Sequence, residues 1–365
     1  MRILQLILAA LVYALPAFNT VYAQEKLPND VSLETQNRID LGYHLGTVIG
    51  VIDKNGTRFY SFGQMSLSDK SMPNENTIFE IASVTKTFTA TLLADLELKG
   101  EMSIHDPVAA HVPSFNNVWI APDEPITLLD LVNHTSGLPR NPTNTDNDDN
   151  NRYSNYTVSD LKAFLSSFSL DARPTDRLYS NAASMVLEHA IETAMNDSYE
   201  HLIEKRVLNN LDMMDSHFIV PEQKRKRLAT GFRQGQETRE VNVGQWNAMG
   251  GLRSTAKDML SYLGAQIGLK PSPLSDALKL THKEQFRDEE TIEALGWHIK
   301  VNELSGKNIH YHTGGTDGFS SFAGFNSEDQ VGVVILINGR RWFSDLGFHL
   351  LDPSYPLKNI EEKAY

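Results

Sequence analysis

A serine hydroxyl becomes a useful nucleophile when a neighbouring base takes its proton, and an amine three residues further along a helix can be that base. Ser-x-x-Lys occurs three times in this chain, as Ser83/Lys86, Ser159/Lys162 and Ser254/Lys257. About one match is expected by chance in a chain of this length, so context has to separate them. Ser159 and Ser254 each stand before an amphipathic stretch with an Asp close behind, the pattern of a helix N-cap. Ser83 lies in Phe79-Glu80-Ile81-Ala82-Ser83-Val84-Thr85-Lys86-Thr87-Phe88, with apolar residues on both sides. A buried serine beside a lysine is costly and needs a reason. On the first turn of a helix, the positive N-terminal potential favours a developing oxyanion. Burial lowers the lysine pKa towards that of a base.

Two other groups could complete such chemistry. Tyr-Ser-Asn occurs at Tyr153-Ser154-Asn155 and at Tyr179-Ser180-Asn181. The first sits in the Asn/Asp-rich stretch 141–155 and is expected in solvent. The second follows Pro174-Thr175-Asp176-Arg177-Leu178 and leads into an apolar helix, which puts Tyr179 at a loop–helix junction. Taken alone, Tyr179 reads as a core tyrosine with a satisfied hydroxyl. His312-Thr313-Gly314-Gly315 opens the C-terminal β pattern. Its glycines let a substrate backbone come close, with the Gly315 N–H free to face an oxyanion. His312 offers a charge that switches near neutral pH. His310 and His312 form His-x-His, but no acidic or histidine partner lies near in sequence, so no metal site is expected. Asn133-His134-Thr135-Ser136-Gly137-Leu138-Pro139 reads either as a helix stop or as the edge of a site.

The elements that must position these residues follow from periodicity. Residues 46–52 and 57–62 read as a hairpin about the turn Asp53-Lys54-Asn55-Gly56. A helix starts at Ser83, with Val84, Phe88, Leu92 and Leu96 on one face, and Gly100 closes it. Helical patterns recur at 158–168, 182–195 and 254–267. Strand patterns return at 296–301, 316–325 and 331–337, the last a near-continuous apolar run suited to a strand covered on both faces. The expected fold is α+β. One antiparallel sheet is built from both chain ends, about 30–100 and 290–350, and is flanked by helices. A mainly helical lobe, about 101–290, is inserted in it.

Composition bounds the rest. With 365 residues, 41% hydrophobic, the chain can bury a large core. Its 33 basic and 46 acidic residues give a net charge of −13, which argues against nucleic-acid and anionic-membrane partners. The absence of cysteine removes disulfides, thiol catalysis, thiolate metal ligands and lipid attachment at an N-terminal cysteine. Arg2, the apolar run 3–17 and Val21-Tyr22-Ala23 read as a cleavable signal peptide, 1–23. The run is shorter than the roughly 20 residues of a spanning helix. Residues 24–365 then form a single exported domain, periplasmic or secreted, without an integral membrane segment. Its oligomeric state is not legible.

Taken in order, Ser83-Val84-Thr85-Lys86, Tyr179-Ser180-Asn181 and His312-Thr313-Gly314 resemble the three motifs of the serine β-lactamase and penicillin-binding-protein superfamily. The branch they resemble is class C-like, with its D-alanyl-D-alanine carboxypeptidases and endopeptidases, D-aminopeptidases and esterases. The segments Asn133 to Pro139, Gly250-Gly251-Leu252-Arg253-Ser254-Thr255-Ala256 and Gly314 to Ser321 are similar to family segments too, so the resemblance spans about residues 30–345. It implies a β-lactamase/transpeptidase-like fold and a serine hydrolase that needs no cofactor. It implies Ser83 as the acylated nucleophile, with Lys86 and Tyr179 sharing proton transfer. Asn181 would bind the substrate amide and Lys86, and the Ser83 and Gly315 N–H groups would form an oxyanion hole. His312 and Thr313 would orient Tyr179 and receive a substrate carboxylate. Asn141 stands where relatives have a further amide contact. His312 replaces the lysine of typical β-lactamases, as in peptidase-like and esterase-like relatives. The three-part site, together with export to where cell-wall peptides lie, points to small D-amino-acid peptides, such as peptidoglycan fragments, as substrates. A β-lactamase, an esterase and a penicillin-binding sensor without turnover are the alternatives. Activity is expected to follow His312 titration near its usual pKa of about 6.5.

Overall fold

The computed structural model describes residues 26–115, 119–121, 124–145, 152–341 and 343–365. The expected signal peptide, 1–23, lies outside them. In chain order the elements that build the site are α1 (Asn29–Asp40), β1 (His44–Asp53), β2 (Gly56–Gly63), β3 (Ile78–Glu80), α2 (Thr85–Leu98), α3 (Leu128–Val132), α4 (Val158–Ser167) and α5 (Asn181–Met195). They continue with β4 (Arg253–Thr255), α6 (Ala256–Gln266), α7 (Ser275–Thr281), β5 (Glu284–Arg287), β6 (Ile292–Ala294), β7 (His298–Val301), β8 (Asn308–Gly315), β9 (Ser320–Asn326), β10 (Val331–Gly339) and α8 (Ser344–Leu351).

The main sheet has eight strands in the order β2-β1-β10-β9-β8-β7-β6-β5. The first strand of the chain therefore pairs antiparallel with the last, Val48 opposite Leu336 and Ile52 opposite Gly332. Strand side chains alternate between faces, and β10 shows both faces dry. Val334 and Leu336 join the larger core with Val48, Leu260, Leu263 and Phe325. Val333, Ile335 and Ile337 join a second core with Phe322 of β9 and with Val31, Leu346 and Leu351 from the terminal helices. Each such apolar side chain is stabilising by about 1.5–3 kcal/mol when fully buried.

Three readings from periodicity change in three dimensions. The helix after Ser83 is not one-sided: every residue from Thr85 to Leu96 is buried. Its threonines are tolerated there because their hydroxyls bond locally, Thr87 to the Val84 carbonyl at 2.9 Å and Thr91 to the Thr87 carbonyl at 2.9 Å, while Thr89 meets the Tyr199 hydroxyl at 2.7 Å. The caps of α4 and α6 are Thr157 and Thr255, whose side chains accept from the backbone N–H of Asp160 and Asp258, and not Ser159 and Ser254. Ser254 is instead buried in β4, 2.7 Å from the Ser216 hydroxyl. The sheet also reaches back to Glu284 through β5 and β6. The segment 282–294 is too polar and short-patterned to read as strand from sequence.

Candidate active site

The Ser83 turn is built where β3 gives way to α2. Ala82 takes φ +48°, a left-handed backbone unusual for a residue with a side chain, and residues 82–84 form one tight 3₁₀ turn. Three neighbours hold this turn. The Ser321 hydroxyl donates to the Ile81 carbonyl at 2.7 Å, and the Ile81 N–H donates to the Leu252 carbonyl at 3.1 Å. Gly314 on β8 lies so close that a Cβ there would stand 2.2 Å from the Ile81 oxygen. The result leaves Ser83 half-buried and accessible. Gly315, the next residue of β8, is exposed, and a Cβ placed on it would meet nothing within 4 Å.

Lys86, the second residue of α2, is 4% exposed. Its Nζ donates to the Met249 carbonyl at 2.5 Å and to Asn181 Oδ1 at 3.1 Å, and reaches Ser83 Oγ at 3.5 Å. Burial lowers its pKa from the ordinary lysine value, opposed in part by the nearby Tyr179 oxygen. The amine therefore loses its proton more readily than a solvated lysine and can serve as a base towards Ser83.

Tyr179 and Asn181 are placed by the start of α5. The Ser180 side chain caps the helix by accepting from Ala183 N–H at 2.9 Å, and its hydroxyl donates to the Pro139 carbonyl at 2.7 Å. Asn181 N–H donates to the Arg140 carbonyl at 2.8 Å. The 133–139 turn is thus part of the site rather than only a helix stop. His134, at φ +62°, accepts from Ser180 N–H through Nδ1 at 3.2 Å and packs its ring 4.3 Å from that of Tyr179. Asn141 Oδ1 accepts from Asn181 Nδ2 at 3.4 Å and from the Tyr153 hydroxyl. Tyr153, expected in solvent, is half-buried because this bond and core packing draw it inwards.

Three cations surround the Tyr179 ring: Lys86 Nζ at 5.0 Å, Arg140 at 5.1 Å and Arg177 at 5.3 Å from its centre. Arg177 is paired at 2.8 Å with Glu293, which also meets His298 Nδ1 at 2.8 Å. Burial pushes the Glu293 carboxyl up to about 8, against the pull of Arg177.

His312 corrects an expectation. It is 2% exposed, stacks on His298 at 4.8 Å, and donates from Nδ1 to the Thr313 carbonyl at 2.8 Å. Burial, then the adjacent His298 and Lys86, hold its pKa well below the ordinary histidine value. It is therefore neutral at neutral pH and does not switch there. His310, two residues away, stacks on Phe325 and bonds the His282 carbonyl at 3.0 Å, so the His-x-His pair packs rather than converges. Among the described residues no cluster of three or more His, Cys, Asp or Glu could hold a metal ion. The structure thus gathers Ser83, Lys86, Tyr179, Asn181, His312, Thr313, Gly314 and Gly315 at one place. Sequence reasoning missed the contributions of Arg140, Glu293 and His298. The last two were signalled only by a Glu and a His facing each other across the β6–β7 turn.

A serine, a buried amine and a phenol where the antiparallel sheet meets α2 and the start of α5 define a serine hydrolase of the α+β class. The beta-lactamase family model matches residues 36–349, and the chain belongs to that family. A beta-lactamase of Pseudomonas fluorescens is 26% identical over 329 residues, covering 80% of this chain and 88% of the relative. A class C beta-lactamase structure from Rhodobacter sphaeroides superposes with TM-score 0.77 at 25% identity, over 89% of this chain and 100% of that one. A D-alanine carboxypeptidase AmpC structure from Burkholderia cenocepacia superposes with TM-score 0.77 at 25% identity, over 88% of this chain and 97% of that one. Among the described residues no helix is long and apolar enough to cross a membrane.

Proposed function

We propose that the protein is an exported hydrolase that forms a Ser83 acyl-enzyme with small D-amino-acid peptides. The observation that carries this reading is the Lys86 amine, desolvated, held by Asn181 and Met249, and 3.5 Å from Ser83 Oγ. Ser83 Oγ attacks the scissile carbonyl carbon as its proton passes to Lys86 or Tyr179. The negative oxygen that develops is received by the Ser83 and Gly315 N–H groups. The C–N bond then breaks, and the leaving amine takes a proton from the Tyr179 side. Water, deprotonated by the same groups, attacks the ester and frees Ser83. Neither step requires a metal ion or an organic cofactor.

Peptides are favoured over β-lactams because a neutral His312 stands where lysine serves typical β-lactamases, and the similarity to a D-alanine carboxypeptidase structure agrees. The similarity to proteins described as beta-lactamases supports β-lactam hydrolysis as the second reading. Incubation with a fluorophosphonate and with a labelled penicillin, followed by peptide mass mapping, is expected to place the adduct on Ser83 and nowhere in S83A. An adduct on another residue, or none with either probe, removes the assignment. Turnover of D-Ala-D-Ala peptides, nitrocefin and p-nitrophenyl esters then ranks the substrates, and labelling without product release identifies a sensor.

A further inference from the structure

The four basic side chains of the site are not equivalent. Lys86 is buried and committed to Met249 and Asn181. Arg177 is paired with Glu293. His312 donates its Nδ1 proton to the Thr313 carbonyl, so its other nitrogen presents a lone pair, which a carboxylate avoids. Arg140 differs from all three. Its side chain is exposed and, among the described residues, has no carboxylate at ion-pair distance, yet its guanidinium lies 5.1 Å from the centre of the Tyr179 ring. Its backbone is fixed, because its carbonyl accepts the Asn181 N–H and the preceding Pro139 carbonyl accepts the Ser180 hydroxyl.

We propose that Arg140 binds the free α-carboxylate of the leaving residue, which makes the enzyme selective for peptides hydrolysed at their C-terminal bond. This rests on the acyl-enzyme reading above. In that reading the leaving nitrogen faces Tyr179. In an α-amino acid the carboxylate is carried on the carbon next to that nitrogen, so it lies on the Tyr179 side of the site. A guanidinium offers two parallel N–H donors that match a carboxylate in shape and charge. The positive charge also has a reason to be local: a chain of net charge −13 repels an anionic substrate elsewhere on its surface. The bond broken is the C–N bond already described, and the free amino acid leaves with the proton taken by its amine.

The test compares an N-acetylated peptide ending in D-Ala-D-Ala, as free acid and as C-terminal amide, on the wild type, R140A and R140K. The wild type is expected to prefer the acid. R140A is expected to lower the acid-to-amide ratio of kcat/KM by about 10- to 100-fold, the scale of a lost charge-assisted hydrogen bond. R140K is expected to fall between. Equal losses on both peptides in R140A, or a wild type indifferent to the C-terminus, overturn carboxylate recognition. Fluorophosphonate labelling run in parallel separates the two claims. Labelled Ser83 with an unaltered ratio removes the role of Arg140 alone, and unlabelled Ser83 removes the acyl-enzyme reading and this inference with it.

Discussion

The Lys86 amine owes its lowered pKa to where it is held. In water it would stay protonated and inert towards a serine, but burial penalises its charge and shifts it towards the free base. Burial acts in the same direction on His312 and holds its pKa well below the ordinary histidine value. The sign follows: as pH rises, the neutral fraction of Lys86 grows, so kcat/KM rises along a limb centred below the ordinary lysine value. Wild type and H312Q, profiled from pH 5 to 10, are expected to share the position of that limb. A step near 6.5 in the wild type that disappears in H312Q would return the titrating role to the histidine. The sequence motifs named both residues, yet only their surroundings set which of them titrates. His312 reads as a neutral-pH switch until its stacking on His298 and its burial are known.

At the scale of elements, the site depends on how closely β8 approaches the turn before α2. Gly314 allows that approach, since any Cβ there would meet the Ile81 carbonyl and the Ser321 hydroxyl, at 2.2 and 2.4 Å. G314A is expected to push β8 from the Ser83 turn, cost about 1–3 kcal/mol in chemical denaturation, and slow Ser83 labelling. A variant with unchanged stability and labelling would show that the strand and turn move independently. The Gly-Gly pair was visible in sequence as permissive backbone. That Gly314 supports the Ser83 turn while Gly315 faces open space could not be read there, because the two differ only in what lies opposite them.

The molecule as a whole is closed by its ends. Arg38 of α1, fully buried, makes a two-pronged ion pair with Asp345 of α8 at 3.0 and 2.7 Å, and also donates to the Lys358 carbonyl at 3.1 Å. Removing one partner of such a pair leaves a buried charge uncompensated. D345A is therefore expected to cost about 3–5 kcal/mol in denaturant titration, while Ser83 in the folded fraction still takes up fluorophosphonate, since the pair lies across the sheet from the site. A loss below about 1 kcal/mol would mean that the terminal helices pack without it.

From residue types and spacing alone, the chain determines its fold class, its paired terminal strands and the three motifs of its site, because periodicity and short motifs are local properties. Neither α1 nor α8 was legible, as each buries only a few side chains against a sheet that does not exist until the chain ends meet. The tertiary structure alone decided the rest: that Lys86 lies beside Tyr179 and Asn181, that burial holds His312 well below the ordinary histidine pKa, and that Arg140, among the described residues, has no carboxylate at ion-pair distance. These are consequences of burial and of contacts between distant residues, and protonation and pairing follow from such surroundings rather than from the identity of the neighbours in sequence.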